Sequence, residues 1–144
     1  MKMRIRRGSL VVGAALVLAV ASACSFTTAN ISSLKLSKDK EGTVETTDFA
    51  PSDSIYAKAT VSNVPSKVTL KFRVFTEDVE GQQKNAPVPN FDKSFDVPSD
   101  GFVNYSLTPP PAGWPAGKYR IDVAMLIESG EQKDQKTATF TVSQ

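Results

Sequence analysis

The chain of 144 residues contains no histidine and a single cysteine, Cys24. These two scarcities remove most side-chain chemistry at once. Without histidine there is no Ser-His-Asp or Cys-His nucleophilic arrangement, and no Cys/His zinc site either. A lone cysteine also excludes a disulfide within the chain, so a folded domain has to be held by its core. No Gly-rich phosphate loop or dinucleotide fingerprint occurs. What remains for chemistry is carboxylate: Glu77, Asp78, Glu80, Asp92, Asp96 and Asp100. A glycosidase pair or a calcium site would be built from such residues, but none has the spacing of an EF-hand loop. Acids in loops are ordinarily solvated, so no catalytic residue, metal or cofactor is assigned and the chain reads as a non-enzyme.

Long apolar runs are missing too. The apolar stretch within residues 10–23 falls short of the roughly 20 residues that span a bilayer, and Gly13 interrupts it. It follows Lys2, Arg4, Arg6 and Arg7 and closes on Ala21-Ser22-Ala23. A basic start, a short apolar segment and a small-residue cleavage site make a secretory signal peptide. Cys24 directly after those small residues resembles the lipobox of bacterial lipoproteins, with Ala21 where that motif usually has leucine. The resemblance implies acylation (diacylglycerol, palmitate) on the Cys24 sulfur and residues 1–23 as the removed segment. Ordinary cleavage would instead leave a free thiol in an oxidising compartment, a liability that lipidation avoids. One acyl chain binds marginally, at about 0.8 kcal/mol per buried CH₂, whereas two or more hold stably. Ser25 stands where the family's inner-membrane retention signal places Asp, which implies the outer membrane in a cell that has two.

Removing the leader changes the charge argument. Seventeen Lys+Arg face 15 Asp+Glu, a formal net charge of +2. Four of the cations lie in residues 1–23, so from Cys24 onward the balance is 13 to 15, a net charge of −2. No basic patch is left to suggest nucleic acid as a partner. Residues 24–30 read as a lipidated tether reaching about 20 Å when extended. Residues 31–144 read as one domain, expected to be monomeric.

That domain is patterned for strands. Residues 31–37 form a first strand of imperfect alternation, and residues 43–49 a candidate short one. Ile55, Ala57, Ala59 and Val61 alternate with Tyr56, Lys58, Thr60 and Ser62. Val68, Leu70, Phe72 and Val74 face inward against Thr69, Lys71 and Arg73. Residues 77–90 are a long loop with Gly81, Pro87 and Pro89. Residues 91–97 and 102–107 are expected to pair as a hairpin across Pro98-Ser99-Asp100-Gly101. Tyr119, Ile121, Val123, Met125 and Ile127 make another long strand, and Ala138, Phe140 and Val142 the last.

Seven strands at this spacing, with no helical period, predict a single antiparallel β-sandwich. Gly117-Lys118-Tyr119 enters the penultimate strand and resembles the tyrosine corner of immunoglobulin-like and fibronectin type III domains. That likeness implies a Tyr119 hydroxyl tying down the preceding connection. The stretches Phe49-Ala50-Pro51-Ser52-Asp53-Ser54-Ile55-Tyr56 and Trp114-Pro115-Ala116-Gly117-Lys118-Tyr119 are similar to those of extracellular bacterial modules of this type. The resemblance implies architecture and address, not activity.

Recognition is expected on loops. Up-and-down strands put residues 63–66, 98–100 and 129–134 at the end where the first strand begins, and the long connections at the other. Trp114, within the stiff segment Pro109-Pro110-Pro111-Ala112-Gly113-Trp114-Pro115, is a candidate partner contact together with Gln82, Gln83, Lys84 and Asn85. Capping the open end of the core is the simpler role for a lone Trp. Phe75, on an outward face, is a further candidate, with packing under the long loop as its alternative. A membrane-anchored binding module is the expected function, its partner a protein or, second, a glycan; an enzyme inhibitor is the rival reading. A Cys24→Ser precursor is expected to accumulate uncleaved and to lose acyl labelling in cells fed radioactive palmitate. Normal maturation of that variant would show the lipobox reading to be wrong.

Overall fold

The computed structural model describes residues 28–144. The signal segment and Cys24 lie outside the described residues. Nine strands follow one another: β1 (Asn30–Ser37), β2 (Asp48–Phe49), β3 (Ile55–Ser62), β4 (Val68–Val79), β5 (Ala86–Pro87), β6 (Lys93–Val97), β7 (Gly101–Leu107), β8 (Gly117–Leu126) and β9 (Gln132–Val142). Among the described residues no helix is long and apolar enough to cross a membrane.

The strands form two facing sheets. One has the order β1-β3-β7; the other runs β2-β9-β8-β4-β5, with β6 also paired to β4. The seven longer strands are the expected β-sandwich, and the two extra ones are only two residues each. Of the candidate strand at 43–49, only β2 forms, and it runs parallel to β9. Every other pairing is antiparallel.

Period-two alternation places the core. On β3, Ile55, Ala57, Ala59 and Val61 are buried, and on β4 Val68, Leu70, Phe72 and Val74. Tyr119, Ile121, Val123 and Met125 of β8 complete the inner face with Phe140 and Val142 of β9. Burying a side chain of this size contributes roughly 1.5–3 kcal/mol each, so these positions supply the bulk of the folding free energy. Ala57 and Ala59 are small members of a core that also holds the rings of Phe72, Tyr119 and Phe140, a mixture of sizes that suits interdigitated layers.

The expected hairpin over 91–107 does not form. β6 pairs with β4, from Val68↔Val97 to Phe72↔Lys93, while β7 pairs with β3 in the other sheet. The connection at 98–100 therefore steps between layers about 10 Å apart. Pro98, which has no amide hydrogen, ends the β6 ladder there. The seam left open between β6 and β7 is closed by side chains. The Tyr105 ring stands edge-on to Phe72 at 5.2 Å and to Phe95 at 5.8 Å, and its hydroxyl donates to the Phe91 carbonyl at 2.9 Å.

The loop at 77–90 is shorter than the sequence suggests. β4 continues to Val79, and β5 folds back on it through Phe75↔Pro87 and Thr76↔Ala86. Thr76, buried, donates its hydroxyl to the Gln83 carbonyl at 2.7 Å and so ties the turn to its own strand.

The two ends of the sandwich differ. Asn30 pairs with Ser62, Val61 with Gly101, Val68 with Val97 and Thr69 with Leu126, so the first strand starts at the end carrying the short loops. There the Asp100 carboxylate accepts from the amides of Asn63 and Val64, at 3.1 and 2.7 Å. The opposite end gathers residues 50–54, 80–85 and 108–116.

Gly117 opens β8 at that opposite end with φ of +146°, opposite Val79. A Cβ there would lie 2.4 Å from the Asp78 carbonyl oxygen and 2.9 Å from a Val79 methyl. Backbone, not a flexible side chain, blocks it. Gly117→Ala is expected to lower stability by about 2–4 kcal/mol through strain and overpacking, read as a lower urea midpoint at unchanged slope.

Candidate functional site

The long-loop end is built around Trp114. Its indole is 2% exposed and packs at 5.0 Å on Phe91, 5.8 Å on Tyr119 and 6.1 Å on Phe140. Tyr119 and Phe140 stack at 5.0 Å, and Phe49 meets Phe140 edge-on at 5.8 Å. Five aromatic rings thus seal the core where the sheets splay apart. Edge-to-face and offset pairs of this kind are each worth about 0.5–1.5 kcal/mol beyond their buried area.

Hydrogen bonds fix the cap in place. The Trp114 amide donates to the Pro51 carbonyl at 2.8 Å, and the indole Nε1 to the Asp53 carbonyl at 3.0 Å. The Tyr119 hydroxyl donates to the Pro115 carbonyl at 2.7 Å, the tie that the Gly-x-Tyr pattern implies. Burial pushes the Tyr119 phenol up, so it stays a donor. Gly113 precedes the Trp with φ of +81°, and a Cβ there would come within 3.0 Å of the Pro51 oxygen. Only glycine lets the two loops approach so closely.

A groove of about 460 Å³ opens above this cap. Trp114 and Tyr119 form its floor, with Phe91 and Val88 on one side. Pro110, Pro111 and Pro115 make the other side, and Gln82, Asn90 and Thr108 supply its polar groups. Not one lining side chain is charged. Apolar rings with a few amides and a hydroxyl are what a binding groove for an uncharged ligand requires.

Of the residues singled out in the sequence, the structure brings Trp114 and Gln82 to this groove. Gln83 and Lys84 lie exposed on the turn beyond β4. Asn85, with φ of +58°, turns away, and its side-chain oxygen accepts from Arg120 at 2.6 Å on the outer sheet face. Trp114 is the floor and not an exposed contact, because the open end of the core needed its area more. Phe91 and the prolines are the groove residues that sequence reasoning missed; the stiffness of 109–115 was the one available signal. Phe75 is half-buried between two guanidinium groups rather than bare.

Three of the six candidate acids have separate side-chain partners. Glu77 pairs with Arg120 at 2.7 Å, Arg73 meets Asp92 at 3.6 Å, and Asp96 accepts from Thr69 at 2.9 Å. Among the described residues, no group of three or more His, Cys, Asp or Glu is placed to hold a metal ion.

No family model matches the chain, and no curated protein does. Among solved structures, it is similar to the PmoD soluble domain from Methylocystis sp. ATCC 49242 (Rockwell), at 13% identity and a TM-score of 0.45. That match covers 76% of this chain and 89% of the other.

The support for the cap rests on one carboxylate. Asp53 accepts from the Ala50 amide at 2.7 Å and pairs with Lys38 at 3.2 Å, shaping the loop whose carbonyls hold Trp114. The Ala50 hydrogen bond, and secondarily Lys38, holds the Asp53 carboxyl below its ordinary value. A depressed pKa in the folded state means stability that is full above the unfolded value, near 3.9, and lost as pH falls through the folded one. Trp114 is the sole Trp, so its fluorescence reports on the cap. Its emission is expected to stay blue-shifted at neutral pH and to move to the red below about pH 4. Asp53→Asn should weaken the neutral-pH fold and flatten that acid dependence; an unchanged profile would remove Asp53 from this role.

Proposed function

We propose that this protein is a lipid-anchored lipoprotein of the bacterial cell envelope that acts by binding, taking an uncharged segment of a partner protein into the groove above Trp114. The observation that carries the reading is placement. The first strand starts at Asn30 at one end of the sandwich, and the groove opens at the other. An anchor on Cys24 holds the short-loop end near the lipid, because the tether reaches only about 20 Å. The groove then faces away from the membrane, towards whatever the envelope presents.

The chemistry of the lining selects the partner. A charged segment entering a groove without charged groups would lose its hydration with nothing to replace it. An extended, uncharged stretch keeps its backbone hydrogen bonds through Gln82, Asn90 and Thr108 and lays its apolar side chains on Phe91 and the prolines. The rigid prolines lower the ordering cost of closing on it. Nothing in this reading requires catalysis.

A photoreactive residue at position 111, on the exposed rim, tests it in intact cells. Cross-linking to a discrete protein partner is expected from position 111 and not from position 128 at the opposite end. Thr108→Glu, which brings charge to the rim, should reduce the yield by about tenfold, the effect of roughly 1.4 kcal/mol. Equal cross-linking from both ends, or none from position 111, would overturn the proposal.

A further inference from the structure

The outer face of the larger sheet holds a second hollow, about 260 Å³, spread across three strands. Register explains why it exists. Lys71, Ala124 and Gln135 form one row across β4, β8 and β9. The long side chains at its two ends stand about 10 Å apart, and the Ala124 methyl between them leaves the space unfilled. Phe75 and Leu126 extend the floor, and Gln132 joins Gln135 on the far wall, donating to it at 3.3 Å.

The charges are arranged unequally. Arg73 has its guanidinium carbon 4.9 Å from the centre of the Phe75 ring, while Arg120 covers the same ring at 4.6 Å. Arg120 is fully engaged, donating to Glu77, Asn85 and Asp122 at 2.6–2.9 Å. Asp122, the one carboxylate of the lining, is in turn satisfied by Arg120 and by Thr137 at 3.1 Å. Arg73 is not. Its Nε lies 3.6 Å from Asp92 and, buried, has no hydrogen-bond partner. Lys71, with no ion pair among the described residues, and Arg73, paired only loosely with Asp92, thus face the hollow, Arg73 held in place by an aromatic ring.

We propose that this hollow binds a carboxylate, carried on the side chain of an acidic peptide. Asp122 is already taken up by Arg120, and Asp92 meets Arg73 only at its Nε, so Lys71 and the outer nitrogens of Arg73 are what is left to receive one carboxylate. A planar carboxylate matches the fork of Arg73, and Lys71 adds a point charge beside it. The apolar floor accepts the methylene stem of a glutamate, and the two glutamine amides meet the peptide backbone around it. This site needs neither the anchor on Cys24 nor the groove above Trp114; it lies on a different surface and takes a ligand of opposite character.

The probe is the peptide N-acetyl-Ala-Glu-Ala-amide, titrated into the ¹⁵N-labelled full-length protein in non-ionic detergent, with its Gln counterpart and inorganic phosphate as the other arms. The Glu peptide is expected to shift the amide resonances of Lys71, Ala124 and Gln135 saturably. Arg73→Gln should weaken it by about tenfold or more, while Lys58→Gln, on the outer face of the other sheet, leaves it unchanged. Absence of a saturable shift would overturn the proposal, as would equal binding of the Gln peptide. Phosphate binding as tightly as the Glu peptide would overturn the carboxylate assignment. An equal loss in Lys58→Gln would reduce the effect to the general charge of the domain.

Discussion

The indole of Trp114 is the contact on which the rest of the long-loop end depends. A two-layer sandwich is open where its sheets splay, and the loops crossing that opening carry backbone groups that need partners. Trp114 meets both needs. Its ring fills the gap against Phe91, Tyr119 and Phe140, and its two N–H groups satisfy the carbonyls of Pro51 and Asp53. Phenylalanine would fill the space without the second hydrogen bond. The same ring that closes the core below also floors the groove above, so core and groove share one side chain.

The lateral seam is managed in a similar way. β6 and β7 belong to different sheets, and no ladder joins them. Tyr105 spans the gap, its ring on Phe72 and Phe95 and its hydroxyl on the Phe91 backbone. Phe91 is therefore held from beneath by its carbonyl and from the side by Trp114. The result is a groove wall whose connecting loop is pinned to the strands beneath it. Charge is segregated: the groove is uncharged, and the outer sheet face carries Lys71 and Arg73 beside the linked set Arg120, Glu77 and Asp122.

Much of this was legible in the residues. Alternation at 55–62, 68–74 and 119–125 names the inward faces directly, because a side chain's face depends only on its parity along the strand. Gly117-Lys118-Tyr119 announced its own hydrogen bond, since both partners lie within four residues. Long-range choices were not legible. Whether residues 93–97 pair with β7 or β4 depends on which sheet offers a free edge, and local pattern is the same for both. Phe75 looked exposed because the two arginines that cover it sit two residues away and on another strand. The groove escaped notice for the same reason: Phe91, Val88 and the prolines converge from two connections that share no motif.

The antiparallel pairing of β1 with β3 has a mechanical consequence. Seven register pairs run from Asn30↔Ser62 to Ser37↔Tyr56, and the Ile31 amide is also held by the Asp134 carboxylate at 2.8 Å. A pull applied to the start of β1 and resisted at the groove acts along the strand axis, not across it. Such a load shears the whole ladder together instead of unzipping it one bond at a time. By that geometry the domain resists stretching between its two ends better than peeling from one side.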